Sequence, residues 1–265
     1  MTASPIPIHA TLALDAAELG LPLAAAAVAV FVSLAGASAL ARLRERYGGD
    51  LLLGLECRLA RAYLSLVHRI RFEGFDEIPE LASLAQPGGG GLLVVANHTC
   101  GLDPMILQMP LRRRIRWMMW TGQMGRGLGW LWRHLAVLPV SQDGHDLATL
   151  RESLRALQRG EVIGVFPEGG VERPPGEILP FQPGLGLLAV RSSAPILLCF
   201  IDGTPAPKVI GAFFTASRTR VRAIGLLRAL PGEMPAALLA RMQQSVVEAS
   251  GWPLRTTSPE TAAPR

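Results

Sequence analysis

The stretch VVANHTCGLDP, Val94–Pro104, places a histidine directly behind a run of strand-forming residues and an aspartate five positions later. A carboxylate that holds one ring nitrogen of an imidazole leaves the other free to accept a proton. His98 and Asp103 can therefore form a general-base dyad that works near neutral pH. The chain has no G-x-S-x-G, so the nucleophile elbow of an α/β serine hydrolase is missing, and a dyad without one suits activation of a hydroxyl carried by a substrate. A plainer alternative is a helix-capping aspartate beside a hydrogen-bonded loop histidine, because Asp103 followed by Pro104 also reads as a helix start. Cys100 lies inside the same loop and could be a nucleophile, although a small buried thiol is the commoner role. Metal binding by His98 and Asp103 lacks a third ligand, since His134 and His145 are not at metal-site spacing.

The dyad needs a scaffold that stops a strand just before His98. If Leu92–Ala96 is a buried strand, His98 sits past its carboxyl end, where α/β sheets form their ligand crevices. Gly101 lets the intervening loop turn tightly enough to return Asp103 to the imidazole. Further strand-like runs occur at Val137–Val140, Glu161–Phe166, Pro195–Ile201, Val209–Phe214 and Thr219–Gly225. Between them HDLATLRESLRALQRG carries Leu147, Leu150, Leu154 and Leu157 on one helical face, with Asp146 to cap it and Gly160 to end it. A second helix is expected over Pro235–Ser250. Strand and helix in alternation predict an α/β fold, a mixed, mostly parallel sheet flanked by helices.

Hydrophobic residues make up 49% of the 265 and charged ones 18%, with a mean hydropathy of +0.31, which is apolar for a globular chain and points to a membrane. Leu19–Ala41 contains no charge and is long enough to cross a hydrocarbon core of about 30 Å. Asp15 and Glu18 precede it and Arg42, Arg44 and Arg46 follow, which predicts a single-pass anchor with the N-terminus outside and the catalytic domain cytoplasmic. A signal peptide would carry its positive charges ahead of the apolar run. Leu51–Ile70 has the spacing of an amphipathic helix that lies along the interface or packs on the domain. Leu111–Leu135 holds Trp117, Trp120, Trp130 and Trp132 among arginines and methionines, and reads as a membrane-dipping region or as core. The expected division is a tail (1–18), an anchor (19–41), an interfacial helix (42–70), a catalytic domain (71–252) and a disordered Ser/Thr/Pro/Ala tail (253–265). The net charge of +5 suits anionic headgroups, while no nucleic-acid-binding module is visible. Cys57, Cys100 and Cys199 form no CxxC pair, which argues against a disulfide framework or zinc site.

A second segment, FPEGGVERPPGEILPFQPGLGLLA (Phe166–Ala189), completes a pattern. NHTCGLDP, then FPEGG, then PFQPG and APILLCFIDGT resembles the glycerolipid acyltransferase family of the HxxxxD type, which includes 1-acyl-glycerol-3-phosphate acyltransferase, over about Arg71–Gly225. The resemblance implies transfer of a fatty acyl group from acyl-CoA or acyl-carrier protein to the hydroxyl of a membrane lysolipid, with no cofactor or metal. By the same resemblance His98 is the base, Asp103 orients it and stabilises the imidazolium, and Phe166, Pro167, Glu168, Gly169 and Gly170 form the acceptor-binding segment. Two departures concern the acceptor. Val171 stands where the family usually has an arginine, and Ser141, Gln142 and Asp143 occupy the segment that usually supplies another. An arginine fork is the preferred clamp for a phosphate. Arg173 could replace it, as could Arg126 or Arg133. Otherwise the acceptor is a lysolipid without a phosphate monoester, such as a lyso-aminolipid, or the chain is a non-catalytic lipid-binding relative. A thioesterase is the competing enzyme.

Overall fold

In the computed structural model residues 16–125, 127–141, 146–171, 176–205 and 211–255 are described, with side chains from residue 28 onward. Two helices, α1 (Ala16–Arg46) and α2 (Leu51–Val67), lead into β1 (Arg71–Glu73) and α3 (Pro79–Leu84). Next come β2 (Leu92–Ala96), α4 (Asp103–Gln108), β3 (Ile115–Trp120), α5 (Gly129–His134) and β4 (Leu138–Val140). The second half holds α6 (Leu147–Gln158), β5 (Val162–Val165), α7 (Pro183–Ser192), β6 (Ile196–Asp202), β7 (Arg220–Leu227) and α8 (Pro235–Ser250).

The seven strands form one sheet in the order β1-β7-β6-β2-β5-β3-β4. β2 lies between β5 and β6, parallel to both, and β3 and β4 continue the parallel set. β7 runs antiparallel to β6, and β1 is parallel to β7. The sheet is thus mixed and mostly parallel. Every residue of β2 is wholly buried: Leu92, Val94 and Ala96 face a core shared with α2, α3 and α4, while Leu93 and Val95 face one shared with α6, α7 and α8. An unbroken Leu/Val/Ala run is what a strand covered on both faces requires, and burying each Leu or Val contributes about 1.5–3 kcal/mol.

Several expectations are corrected. Leu111–Leu135 contains strand β3, whose Trp117 is only 7% exposed and belongs to the core, whereas Trp130 of α5 is exposed. Of the expected strand Val209–Phe214, Gly211–Phe214 forms one 3₁₀ turn instead, residues 209 and 210 lying outside the described residues. On α6 Leu147 is exposed, and Leu150, Leu154, Ala156 and Leu157 make the buried face. Asp146 accepts from Thr149 N at 3.2 Å and Gly160 closes that helix at φ +83°, both as the sequence predicts. Residues 253–255, expected to begin a free tail, instead bracket Ile178 through Ile178 N to Pro253 O and Arg255 N to Ile178 O, each 2.9 Å.

The expected anchor lies within α1, but the side chains of residues 16–27 are outside the described residues. Among those described, no helix is long and apolar enough to cross a membrane, so the structure does not support a transmembrane span. α2 starts at its cap Asp50, which accepts from Leu53 N at 2.8 Å, and packs Leu53, Cys57 and Leu64 into the core. Its outer side leaves Leu52, Leu55, Leu59 and Leu66 exposed.

Candidate active site

Parallel pairing brings the carboxyl ends of β2, β5 and β6 to one edge of the sheet. NHTCGLDP, FPEGG and the start of IDGT leave from that edge side by side. Asn97 controls the exit from β2. It is wholly buried, and its side-chain amide donates to Ile201 O at 2.9 Å and accepts from Ile201 N at 2.8 Å. The side chain takes over the ladder where the backbone leaves it, and the next residue, His98, is turned out of the sheet.

His98 Nδ1 donates to Asp103 Oδ2 at 2.8 Å; the imidazole side chain is 17% exposed and the carboxylate 0%. The carboxylate is held by further donors. Thr99 N and Cys100 N reach Oδ2 at 2.6 and 2.9 Å, and Thr99 Oγ1 reaches Oδ1 at 3.0 Å. A buried carboxylate needs such a set, since an ion removed from water is costly unless its lone pairs are met. Asp103 is therefore not the cap of α4 that the sequence suggested: the cap position is Leu102, and the aspartate side chain turns back into its own loop. With Nδ1–H committed to Asp103, Nε2 is the free acceptor, which is the arrangement a base requires.

Cys100 is buried, and its thiol lies 3.5 Å from Asp103 Oδ1. Burial first, and the adjacent Asp103 charge second, push that thiol up to about 12. A thiol held protonated is a poor nucleophile, so Cys100 contributes packing and a weak donor.

FPEGG follows β5. Phe166, half-buried, lies flat on the His98 ring, centroids 4.1 Å apart and planes 13° apart. Trp117 stacks on its other face at 4.5 Å and 8°. Pro167 and Glu168 are buried, and Pro167 O accepts from Gln182 N at 2.8 Å, which ties this turn to the PFQPG segment. Gly169 adopts φ +73°, a left-handed conformation that side chains disfavour. A Cβ at Gly170 would meet nothing within 4 Å, so its backbone borders open space. Val171 is half-buried, and Arg173 lies outside the described residues, as does Arg126. Ser141 N donates to Asp146 Oδ2 at 3.1 Å, so that position serves the start of α6. Arg133 is exposed on α5.

The dyad and the PEGG turn are thus placed on adjacent strands as the motifs require. Sequence reasoning missed Asn97, Thr99 and Trp117. An amide ending an apolar strand is a signal for the first, and the placing of Arg116 between Ile115 and Trp117 for the last.

A dyad at the carboxyl edge of a mixed sheet, with a glycine-bearing turn beside it, matches a known class. The acyltransferase family model matches residues 69–202, just over half the chain and including both motifs, and the chain belongs to that family. Among solved structures it is similar to the crystal structure of the 1-acyl-sn-glycerophosphate (LPA) acyltransferase PlsC from Thermotoga maritima. The TM-score is 0.60 and the identity 22%, over 82% of this chain and 88% of that one. No curated protein sequence matches the chain.

Proposed function

We propose that this chain moves a fatty acyl group from an acyl thioester, acyl-CoA or acyl-carrier protein, to a hydroxyl of a membrane lysolipid, 1-acyl-glycerol-3-phosphate being the leading acceptor. The observation that carries the reading is the His98–Asp103 pair, with Nε2 free, at an edge shared with the PEGG turn. His98 Nε2 takes the acceptor's hydroxyl proton as its oxygen attacks the thioester carbon, and Asp103 stabilises the imidazolium. The proton then passes to the leaving thiolate. Gly169 N already donates to Phe166 O at 3.3 Å, so within this turn the backbone N–H of Gly170 is the group suited to the developing oxyanion. Glu168 and Arg173 complete the proposed acceptor segment.

The bilayer is the proposed partner and the cytoplasmic leaflet the proposed site. Val28, Val30, Phe31, Val32, Leu34 and Leu40 of α1 are exposed on all sides of that helix, and the outer leucines of α2 extend the apolar surface. The run 19–41 is the proposed anchor. Labelling of an engineered cysteine near residue 5 from outside sealed cells tests the predicted orientation.

Enzyme with acyl thioester and a panel of lysolipids is the direct test. Free thiol appears only when acceptor is present, and His98→Ala abolishes it. Thiol release undiminished without acceptor makes the chain a thioesterase; lysolipid binding without turnover makes it a lipid-binding protein. A second acceptor reading, a lysolipid lacking a phosphate monoester, is favoured by Val171 and by the tie of Ser141 to Asp146. Arg173→Ala separates the two, since a KM rise confined to phosphorylated acceptors assigns Arg173 the clamp.

A further inference from the structure

We infer that Trp117 and Phe166 form an aromatic buttress that sets the orientation of the His98 ring, so that Phe166 is a positioning residue for the base and Trp117 positions Phe166. The inference rests on His98 being the base of the reaction proposed above, and it moves Phe166 from acceptor recognition to alignment.

One hydrogen bond holds an imidazole only loosely. The 2.8 Å contact from Nδ1 to Asp103 tolerates a range of angles, and the torsion about the Cβ–Cγ bond of histidine is broad and soft, so the ring can rock while the bond persists. Nε2 lies on the far side of the ring, so even a modest rotation moves it off the acceptor hydroxyl. Phe166, parallel to the imidazole within 13° at 4.1 Å, supplies the missing constraint by blocking rotation toward its face. The ring of Phe166 is only half-buried, and Trp117, fully in the core, backs it at 4.5 Å and 8°.

The sheet is built for this stack. Trp117 of β3 is the register partner of Gly164 of β5, and Gly164 and Phe166, two residues apart, project to the same face. A Cβ at Gly164 would lie 2.4 Å from the Trp117 ring. Glycine there lets the indole lie over the strand and reach Phe166. Glycine within a buried strand is otherwise unfavourable, and the stack gives it a purpose. The same face offers a second effect: an aromatic ring attracts the imidazolium that forms when His98 takes the proton.

The test uses full-length enzyme in detergent or vesicles with acyl-CoA and the acceptor the panel identifies. Phe166→Leu keeps an apolar side chain without the flat face. Its kcat should fall roughly tenfold to a hundredfold, the size expected for a misaligned reacting group, with KM for both substrates within about twofold. Phe166→Tyr, which keeps the ring, should restore most of kcat. Trp117→Phe, chosen because the leucine variant leaves a large void, should reduce kcat less than Phe166→Leu and add nothing to it in the double variant. A KM rise at unchanged kcat would make Phe166 an acceptor contact and overturn the inference, as would unchanged kinetics or losses that multiply in the double variant. A second arm needs no turnover. Imidazole ¹⁵N spectra of wild type should show one Nδ1–H tautomer at His98, and Phe166→Leu should show exchange-broadened or averaged signals. Identical spectra would refute the buttress even if the acyltransferase reading stands, and a wild type without turnover would refute that reading while leaving this arm decisive.

Discussion

Asp103→Asn isolates the charge of the dyad from its geometry. The amide oxygen can occupy the Oδ2 position and still accept from His98 Nδ1, Thr99 N and Cys100 N, and the amide N–H₂ then faces Thr99 Oγ1, which turns to accept. Little of the fold should change, so Tm should shift by only a few degrees for roughly 1 kcal/mol. What disappears is a full negative charge 2.8 Å from the nitrogen of an imidazolium that exists only during reaction. At an effective dielectric near 20 that attraction has an upper bound of about 6 kcal/mol. The dipole of the retained hydrogen bond recovers part of it, leaving roughly 4 kcal/mol, about three decades in rate. Steady-state thiol release at saturating acceptor should show kcat down by about a thousandfold, with KM nearly unchanged. A variant within tenfold of wild type would mean that Asp103 is a loop fastener only and that His98 needs no counter-ion.

Three further outcomes are expected. Asn97→Ala strips partners from buried Ile201 N and Ile201 O and should lower unfolding free energy by about 2–5 kcal/mol in urea titration, with kcat falling as the exit of β2 loosens. Cys100→Ser should keep activity within a few-fold, and Cys100 should resist alkylation at pH 8, because its thiol is buried and pushed up to about 12. His68 is buried between Tyr63 and Ser217, at 2.9 and 2.8 Å, and burial lowers its pKa. The unfolded state then binds the extra proton first, so this histidine's contribution is present above about pH 6.5 and is lost as pH falls through the lowered folded value; unfolding free energies at pH 8 and pH 5 should differ less in His68→Gln than in wild type.

The elements that sequence reasoning places well are those whose partners are generic. β2, β5 and β6 are apolar runs that any covered sheet would bury, and α6 and α8 carry clear helical spacing. The mix of arginine and tryptophan in IRWMMW leaves β3 open to a membrane-facing reading as well as a core one. Its arginine, Arg116, in fact reaches Glu152 of α6 and Glu161, the residue before β5, at 3.1 and 2.7 Å, both distant in sequence. VIGAFF failed in the opposite sense. Its apolar content suggested a strand, yet Phe214 is 84% exposed, and Phe213 stacks on Tyr63 of α2 with its carbonyl accepting from that tyrosine's hydroxyl at 2.6 Å. A short apolar run does not reveal whether a sheet or a surface awaits it.

The same distinction separates what was legible in the site from what was not. A histidine and an aspartate spaced by a glycine-bearing loop identify each other, because the loop is short and both partners are side chains. Two of the groups that hold Asp103 in place are the backbone N–H donors of Thr99 and Cys100, which every residue carries and no motif records. The support behind His98 comes from Trp117 and Phe166, which lie 49 positions apart and meet only because β3 and β5 are neighbours with Gly164 opposite Trp117. Alignment of the base is therefore a property of strand order. A substitution at Gly164, far from any motif, should disturb the base: Gly164→Ala would press a methyl group into the indole at 2.4 Å, displace Phe166, and lower kcat without touching substrate.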